Sequence, residues 1–322
     1  KSQYTYENVA ISSGGRLALT RLVSTLGRVN VGHFIPDYTA YEELLDAFGT
    51  FVPIPIPLKP ERGYAFDVRE LEEQILSFGL SAVLLSNPCN PTGKLIAGGA
   101  LNSWVGTARK LSCNLIIDEF YSHYIYSNAH LSVSAAQYVD DVNSDPVVLI
   151  DGLTKNWRYP GFRISWTVAP KEIIDGIASA GSFLDGGAAR PMQLAALSLV
   201  KPEIADREAR AIQQAFSKKR ALLVRGLSDM GISVTPEPEG GFYCWGDLSF
   251  LPEELNNGWK LFSRALEVGV IIVPGTFFDI NPGHRRGGHK SRFESFARFS
   301  FGPPEAELEL GIEKLRSLLN RG

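Results

Sequence analysis

The sequence predicts an α/β protein built in three layers, αβα, with a mostly parallel central sheet and a smaller C-terminal α+β domain. Three observations carry this. Short apolar runs rich in β-branched residues alternate with helical patterns up to about Leu199. Those runs are continuous rather than alternating, as expected of parallel strands buried on both faces. Beyond that point a long charged helical stretch gives way to shorter strands.

Taken in order, the apolar runs fall at 30–35, 51–56, 82–86, 115–118, 147–151 and 164–168. Between them, 16–26 places Leu19, Leu22, Val23 and Leu26 on one helical face, and 41–48, 68–78 and 101–111 behave the same way. The charged stretch 203–227 ends near Gly226 and Gly231 and is placed to act as a hinge. Shorter strands follow at 232–236, 241–247, 270–273 and 297–301, with helices at 259–268 and 305–319. This organisation divides the chain into a large domain, 1–205, and a small one, 206–322.

A chain of 322 residues that is 44% hydrophobic can bury a large core. Its net charge of −3, from 32 basic and 35 acidic residues, sets up no strong field, which argues against a nucleic-acid or membrane partner. Cys89, Cys113 and Cys244 are odd in number and form no CxxC pair. A disulfide framework is not expected, and a reduced, cytoplasmic setting fits. No apolar run reaches the length of a membrane span, and the opening residues lack a signal-peptide core. The missing initiator Met points to a mature or truncated form. His284 and His289 stand in a Gly- and Arg-rich loop with no third ligand at a recognisable spacing, so no metal site is expected.

In open α/β sheets, ligands bind outside the carboxyl ends of the strands. Polar clusters stand at three such ends. They are Asn87-Pro-Cys-Asn-Pro-Thr-Gly93, Asp118-Glu-Phe-Tyr121 and Asp151-Gly-Leu-Thr-Lys155, the last followed by Arg158-Tyr-Pro-Gly-Phe-Arg163. Each has an ordinary reading: a turn sequence, a helix cap, a surface charge. Their convergence on one edge of one sheet favours a site.

In this combination the motifs Asn-Pro-x-Asn-Pro-Thr-Gly, Asp-Glu-x-Tyr and Thr-Lys-x(7)-Arg resemble the fold-type I aminotransferases (class I/II, the aspartate aminotransferase superfamily) from Ile11 to Leu319. The resemblance implies the pyridoxal-5′-phosphate (PLP) transferase fold, PLP as cofactor, and a homodimer acting on an amino acid and a 2-oxo acid. It places Lys155 as the amine that forms the Schiff base and then shuttles a proton. Asp118 is the carboxylate paired with the pyridine nitrogen, which keeps the ring an electron sink. Tyr121 and Asn90 hydrogen-bond the ring's phenolate oxygen, and Asn90 also meets the substrate. Arg163 clamps the phosphate, where a planar fork suits a dianion. Gly14, Gly15 and Arg16 open the first helix and offer it free N–H groups. Tyr38 stacks on the ring or is a core aromatic, and Arg298 holds the substrate α-carboxylate. Val273-Pro-Gly-Thr-Phe277 and Glu239-Gly-Gly-Phe-Tyr243 look like small-domain signatures of the same family.

Two departures stand out. The family often has a serine three residues before the lysine, where this chain has Gly152, which leaves Thr154 to supply that phosphate contact. The glycine–helix motif begins at Gly14, so the N-terminal arm usual in the family is absent from this sequence. Arg190 lies where relatives place residues near the site and reads either as a ligand for a substrate side chain or a phosphate, or as a surface charge. The implied reaction is ping-pong transamination. Two alternatives share these motifs: a PLP-dependent lyase, cyclase or tailoring enzyme, and an aminotransferase-like effector-binding domain of a regulator.

Overall fold

The β-branched runs become strands and the amphipathic stretches become the helices that cover them. The computed structural model describes residues 1–127, 130–288 and 290–319. In chain order the main elements are β1 (Val9–Ser12), α1 (Gly15–Thr25), β2 (Asn30–Ile35), α2 (Ala40–Ala47), β3 (Val52–Pro57), α3 (Val68–Phe78), β4 (Leu80–Ser86), α4 (Gly98–Leu111), β5 (Asn114–Asp118), β6 (Val147–Gly152) and β7 (Ser165–Val168). There follow α5 (Lys171–Leu184), α6 (Arg190–Ala196), α7 (Pro202–Asp229), β8 (Ser233–Val234), β9 (Tyr243–Asp247), α8 (Gly258–Glu267), β10 (Val273–Pro274), β11 (Phe296–Ser300) and α9 (Glu305–Leu319).

The seven-stranded sheet has the order β1-β7-β6-β5-β4-β2-β3. Strands β2 to β6 run parallel, whereas β7 is antiparallel to both β6 and β1. Successive strand side chains point to opposite faces. Leu84, Ile116 and Val148 therefore pack with Leu19, Leu22 and Ile177 of α1 and α5. Val83, Leu85, Leu115, Ile117 and Leu149 pack on the other side with Leu71, Ile75, Leu101 and Trp104 of α3 and α4. This is the three-layer arrangement expected from the unbroken apolar runs. The helices are bounded by ordinary chemistry: α3 starts on an Asp67–Glu70 capping box and stops at Gly79 in the left-handed region.

The second sheet is antiparallel with the order β10-β11-β9-β8. Helices α7 and α9 cover it through Ile212, Leu223, Leu227, Leu308, Ile312 and Leu315. Its strands are shorter than the expected 232–236 and 270–273, because only Ser233–Val234 and Val273–Pro274 pair. Helix α7 ends at Asp229, between Gly226 and Gly231 as expected. Gly226 marks its crossing with α9, where a Cβ would lie 2.8 Å from Ile312. Three elements lay outside the expected set. β1 is a four-residue edge strand, α5 is diluted by Gly176, Ser179, Gly181 and Ser182, and α6 is only seven residues long.

His284 is exposed, and His289 lies outside the described residues. Among the described residues no helix is long and apolar enough to cross a membrane.

Candidate active site

The carboxyl ends of β4, β5 and β6 open on one cleft of about 670 Å³. Gly15, Arg16, Tyr38, Asn90, Asp118, Tyr121, Thr154, Lys155, Arg163 and Arg298 all line it, although they come from positions far apart in the chain. Gly14 stands directly behind, against Arg163. Arg190 is exposed at the start of α6 and does not line the cleft.

One wall is the start of α1, whose first N–H groups have no partner within the helix. Gly14 precedes it at φ +95°, a conformation that favours glycine, and a Cβ there would sit 1.8 Å from the Arg163 guanidinium. A Cβ on Gly15 would lie 2.5 Å from the Phe120 ring. The glycine pair thus lets a guanidinium and an aromatic ring close on the helix end. Arg163 is aimed there by its own Nη1 donating to Pro160 O at 3.0 Å. The result is a concave, cationic cradle of N–H donors, the kind of surface that suits a phosphate.

The floor is the end of β5. Asp118 is buried, and it accepts from Phe120 N–H at 3.2 Å and from the Tyr41 hydroxyl at 3.0 Å. Burial pushes its carboxyl up to about 6, against the pull of those two donors and of the Lys155 charge. Burial and the nearby Arg298 lower the Lys155 amine below its ordinary value, with Asp118 opposing. An amine so held is more readily neutral and nucleophilic than a surface lysine.

On the opposite side, Arg298 projects from β11. Its guanidinium carbon lies 4.0 Å from the centre of the Tyr243 ring and 5.0 Å from that of Phe278, and its Nη1 donates to Asn90 Oδ1 at 2.8 Å. Tyr243 and Tyr121 share a hydroxyl–hydroxyl hydrogen bond of 2.9 Å. Arg16 donates to the Tyr38 hydroxyl at 3.2 Å. Beneath these groups the buried Asp37 accepts from the Ser86 hydroxyl, from Ser86 N–H at 3.2 Å and from Tyr38 N–H at 2.7 Å.

Nothing local in the sequence singles out Tyr41, Ser86 or Phe120, and Tyr243 stands out only within the Glu239-Gly-Gly-Phe-Tyr243 signature. The period of α2 could have placed Tyr41 on the face of α2 toward the sheet. No local signal pairs it with a carboxylate 77 residues on. The Gly152 departure has a direct cause: a Cβ there would lie 2.6 Å from Ile164 O and 2.7 Å from Ser165 Cα. β7 approaches too closely for a serine, while Thr154 does line the cleft.

The family defined as aminotransferase class I and II matches residues 1–315. The chain belongs to this family. Among curated class I and II members, the aspartate/prephenate aminotransferase of Thermus thermophilus is 27% identical over 323 residues, 98% of this chain and 77% of that protein. A valine–pyruvate aminotransferase of Mycobacterium tuberculosis is 30% identical over 293 residues, 88% of this chain and 68% of that protein. Among solved structures, the T. thermophilus aspartate aminotransferase with maleate superposes with a TM-score of 0.84 at 25% identity, covering 98% of this chain and 77% of its own. An aminotransferase from M. tuberculosis gives the same TM-score and identity, covering 100% and 78%. These matches establish the chain as an enzyme of the aminotransferase class on the fold its strand order displays.

Proposed function

We propose that this aminotransferase uses pyridoxal 5′-phosphate, held through Lys155, to move an amino group between an L-amino acid and a 2-oxo acid. The observation that carries the reading is the meeting of Lys155, Asp118 and Arg163 in one cleft beside the glycine-lined start of α1. The donor set fits the cofactor: an amine for an aldehyde, a buried carboxyl for a ring nitrogen, and a guanidinium with free N–H groups for a phosphate. The cradle also fits in shape, since a side chain at Gly14 or Gly15 would fill it.

When bound, the cofactor supplies the aldehyde carbon and an electron-withdrawing ring. The chain supplies binding and proton handling. Arg163, the α1 N–H groups and Thr154 hold the phosphate, and Tyr38 covers the ring. Asp118, oriented by Tyr41 and Phe120 N–H, keeps a proton on the pyridine nitrogen. The Tyr121 hydroxyl, tied to Tyr243, and Asn90 face the ring oxygen. Arg298, backed by Tyr243 and Phe278, receives the substrate α-carboxylate and fixes which Cα bond faces Lys155. The Lys155 amine then carries the proton away from Cα.

The same reading takes 1–205 as the cofactor domain and 206–322 as the small domain, with α7 between them. It also takes the chain as a homodimer. Phe183 on α5, Leu194 on α6 and Leu197 just after it are 91%, 57% and 62% exposed, apolar surface that a second copy could cover.

Borohydride reduction of the protein incubated with pyridoxal phosphate tests the reading, with peptide mapping of the trapped lysine and a screen of amino acids for conversion to pyridoxamine phosphate. Label on Lys155 and conversion by at least one amino acid are expected. Label spread over surface lysines rejects it.

A further inference from the structure

Beside Lys155 lies a buried polar knot that the chemistry above does not use. Its hub is Asn156, which is 0% exposed. The Asn156 amide shares its two N–H groups among Glu119 O at 3.2 Å, Ser122 Oγ at 2.9 Å and both Asp151 carboxylate oxygens at 2.9 and 3.0 Å. Its Oδ1 accepts from His123 N–H at 3.1 Å, and its main-chain O lies 3.3 Å from His123 Nδ1. The Lys155 carbonyl accepts from the Tyr124 hydroxyl at 3.1 Å. Every one of these partners except Asp151 belongs to the turn that follows Asp118, the last residue of β5, and carries Tyr121. Asp151 lies near the end of β6, just before the turn that carries Lys155.

We propose that Asn156 is a positioning residue, which sets Lys155 against Asp118 and Tyr121 by bolting the 153–156 turn after β6 to the 119–124 turn after β5. The physical argument is one of rigidity. Strand pairing fixes β5 against β6 only as far as Asp118 and Ile150. Pairing with β7 carries β6 on to Gly152, and Lys155 stands three residues beyond that last pair, in a turn that strand pairing does not hold. Side-chain bonds from Asn156 span the gap. A buried amide with this many partners has no equally satisfied alternative rotamer, so the backbone at 155 has one place to be. Asp151 gains from the same arrangement: burial pushes its carboxyl well up, and the Asn156 amide and Gly152 N–H are what oppose this.

The inference rests on the reading of Lys155 as the reacting amine, and its test separates the two. Asn156→Asp keeps the shape and the acceptor for His123, removes the amide donors and faces Asp151 with a second carboxylate. In the folded holoenzyme kcat should fall about 10- to 100-fold, the scale of a small misplacement of a reacting group. KM for the amino donor should hold within about threefold, because Arg298 and Asn90 are untouched. The exchange Asp151→Asn/Asn156→Asp returns a donor and an acceptor to the pair and should recover about tenfold or more of the loss.

A readout independent of the cofactor is competitive acetylation of Lys155 in the cofactor-free protein across a pH series. The titratable and charged groups facing the amine across the cleft are Asp118, Tyr121, Tyr243, Tyr38, Arg298, Arg163 and Arg16. Asn156→Asp loosens the turn and with it the enclosure of the amine, so the midpoint of Lys155 reactivity should rise toward that of an ordinary lysine and fall back in the exchange. If thermal melting shows that Asn156→Asp does not fold, Ser122→Ala removes a single bond, with a loss of about threefold expected. Unchanged kcat in a folded variant, kcat and KM shifting together, or an exchange that recovers nothing would overturn the proposal. Failure to trap pyridoxal phosphate on Lys155 in the unsubstituted protein would instead defeat the cofactor reading, while the acetylation midpoint would still judge the placement of the lysine.

Discussion

At the scale of single residues, the cleft divides its labour by chemistry. Lys155 is a lysine made more nucleophilic by enclosure, and Arg298 is a guanidinium made specific by its backing. Replacing Lys155 with Ala should leave the fold and phosphate binding intact, abolish borohydride trapping and cut turnover by at least about 10²–10⁴-fold. Retention of turnover would reassign the reacting amine. Arg298→Ala should raise KM for α-carboxylate substrates about 10- to 100-fold, the cost of one charge-assisted hydrogen-bonding partner, with little change in cofactor affinity. The opposite pattern, a loss of cofactor with KM unmoved, would make Arg298 a structural residue. Asn90 bears on both, since its Oδ1 accepts from Arg298 and it also lines the cleft.

At the scale of elements, the site depends on close approaches that side chains would prevent. β6 and β7 pair so tightly at Gly152 that the serine common in this family has no room. Gly152→Ser should therefore destabilise the protein by about 1–3 kcal/mol rather than add a phosphate contact, as overpacking against backbone does. Thermal melting with and without pyridoxal phosphate checks this, and a variant with a higher midpoint and tighter cofactor binding would refute it. The β5 turn shows the complementary principle. Asp118 ends the strand, Phe120 supports the helix glycine, Tyr121 joins the second sheet through Tyr243, and Tyr124 holds the Lys155 carbonyl. One short turn thus couples the carboxylate, the cradle and the lysine.

At the scale of the whole molecule, burying several carboxyls in one region makes stability depend on pH. Burial raises Asp37 and Glu119 to about 7 and Asp118 to about 6. For an acid whose folded pKa is raised, the folded state holds its proton longer than the unfolded chain does. The stabilising effect is complete below about 4 and is lost as pH rises through about 6 to 7. The cofactor-free protein should therefore melt at lower temperature at neutral pH than at mildly acidic pH. Asp37→Asn should reduce that slope by up to about 1.4 kcal/mol per pH unit. Melting curves across this range decide, and a slope identical to that of the parent would show that Asp37 is not neutral in the folded state. The exposed apolar side chains of Phe183, Leu194 and Leu197 belong to the same scale. Sedimentation should report a two-chain mass, and Phe183→Glu combined with Leu197→Glu should shift it toward one chain; a monomeric parent would leave this face without that role.

The sequence alone determined the layers and the identity of the groups at the strand ends. Short unbroken apolar runs rich in β-branched residues and separated by helical patterns read as strands covered on both faces, and Asn90, Asp118, Lys155 and Arg163 sit in motifs whose spacing is local. It did not mark β1, α5 or α6: β1 is a four-residue edge strand and α6 a seven-residue helix, each too short for a clear period, while α5 keeps a buried face at Ile174, Ile177 and Gly181 among its Gly and Ser residues. Nor could it show that Tyr41 holds Asp118, that Tyr243 meets Tyr121, or that Asn156 joins two turns. Those bonds span 77, 122 and 33 to 37 residues, and only folding brings their ends together. Hydrophobic pattern and turn chemistry are properties of neighbours in the chain. Orientation, burial and the proton affinity of a buried acid are properties of neighbours in space, and here they turn a set of polar residues into a site.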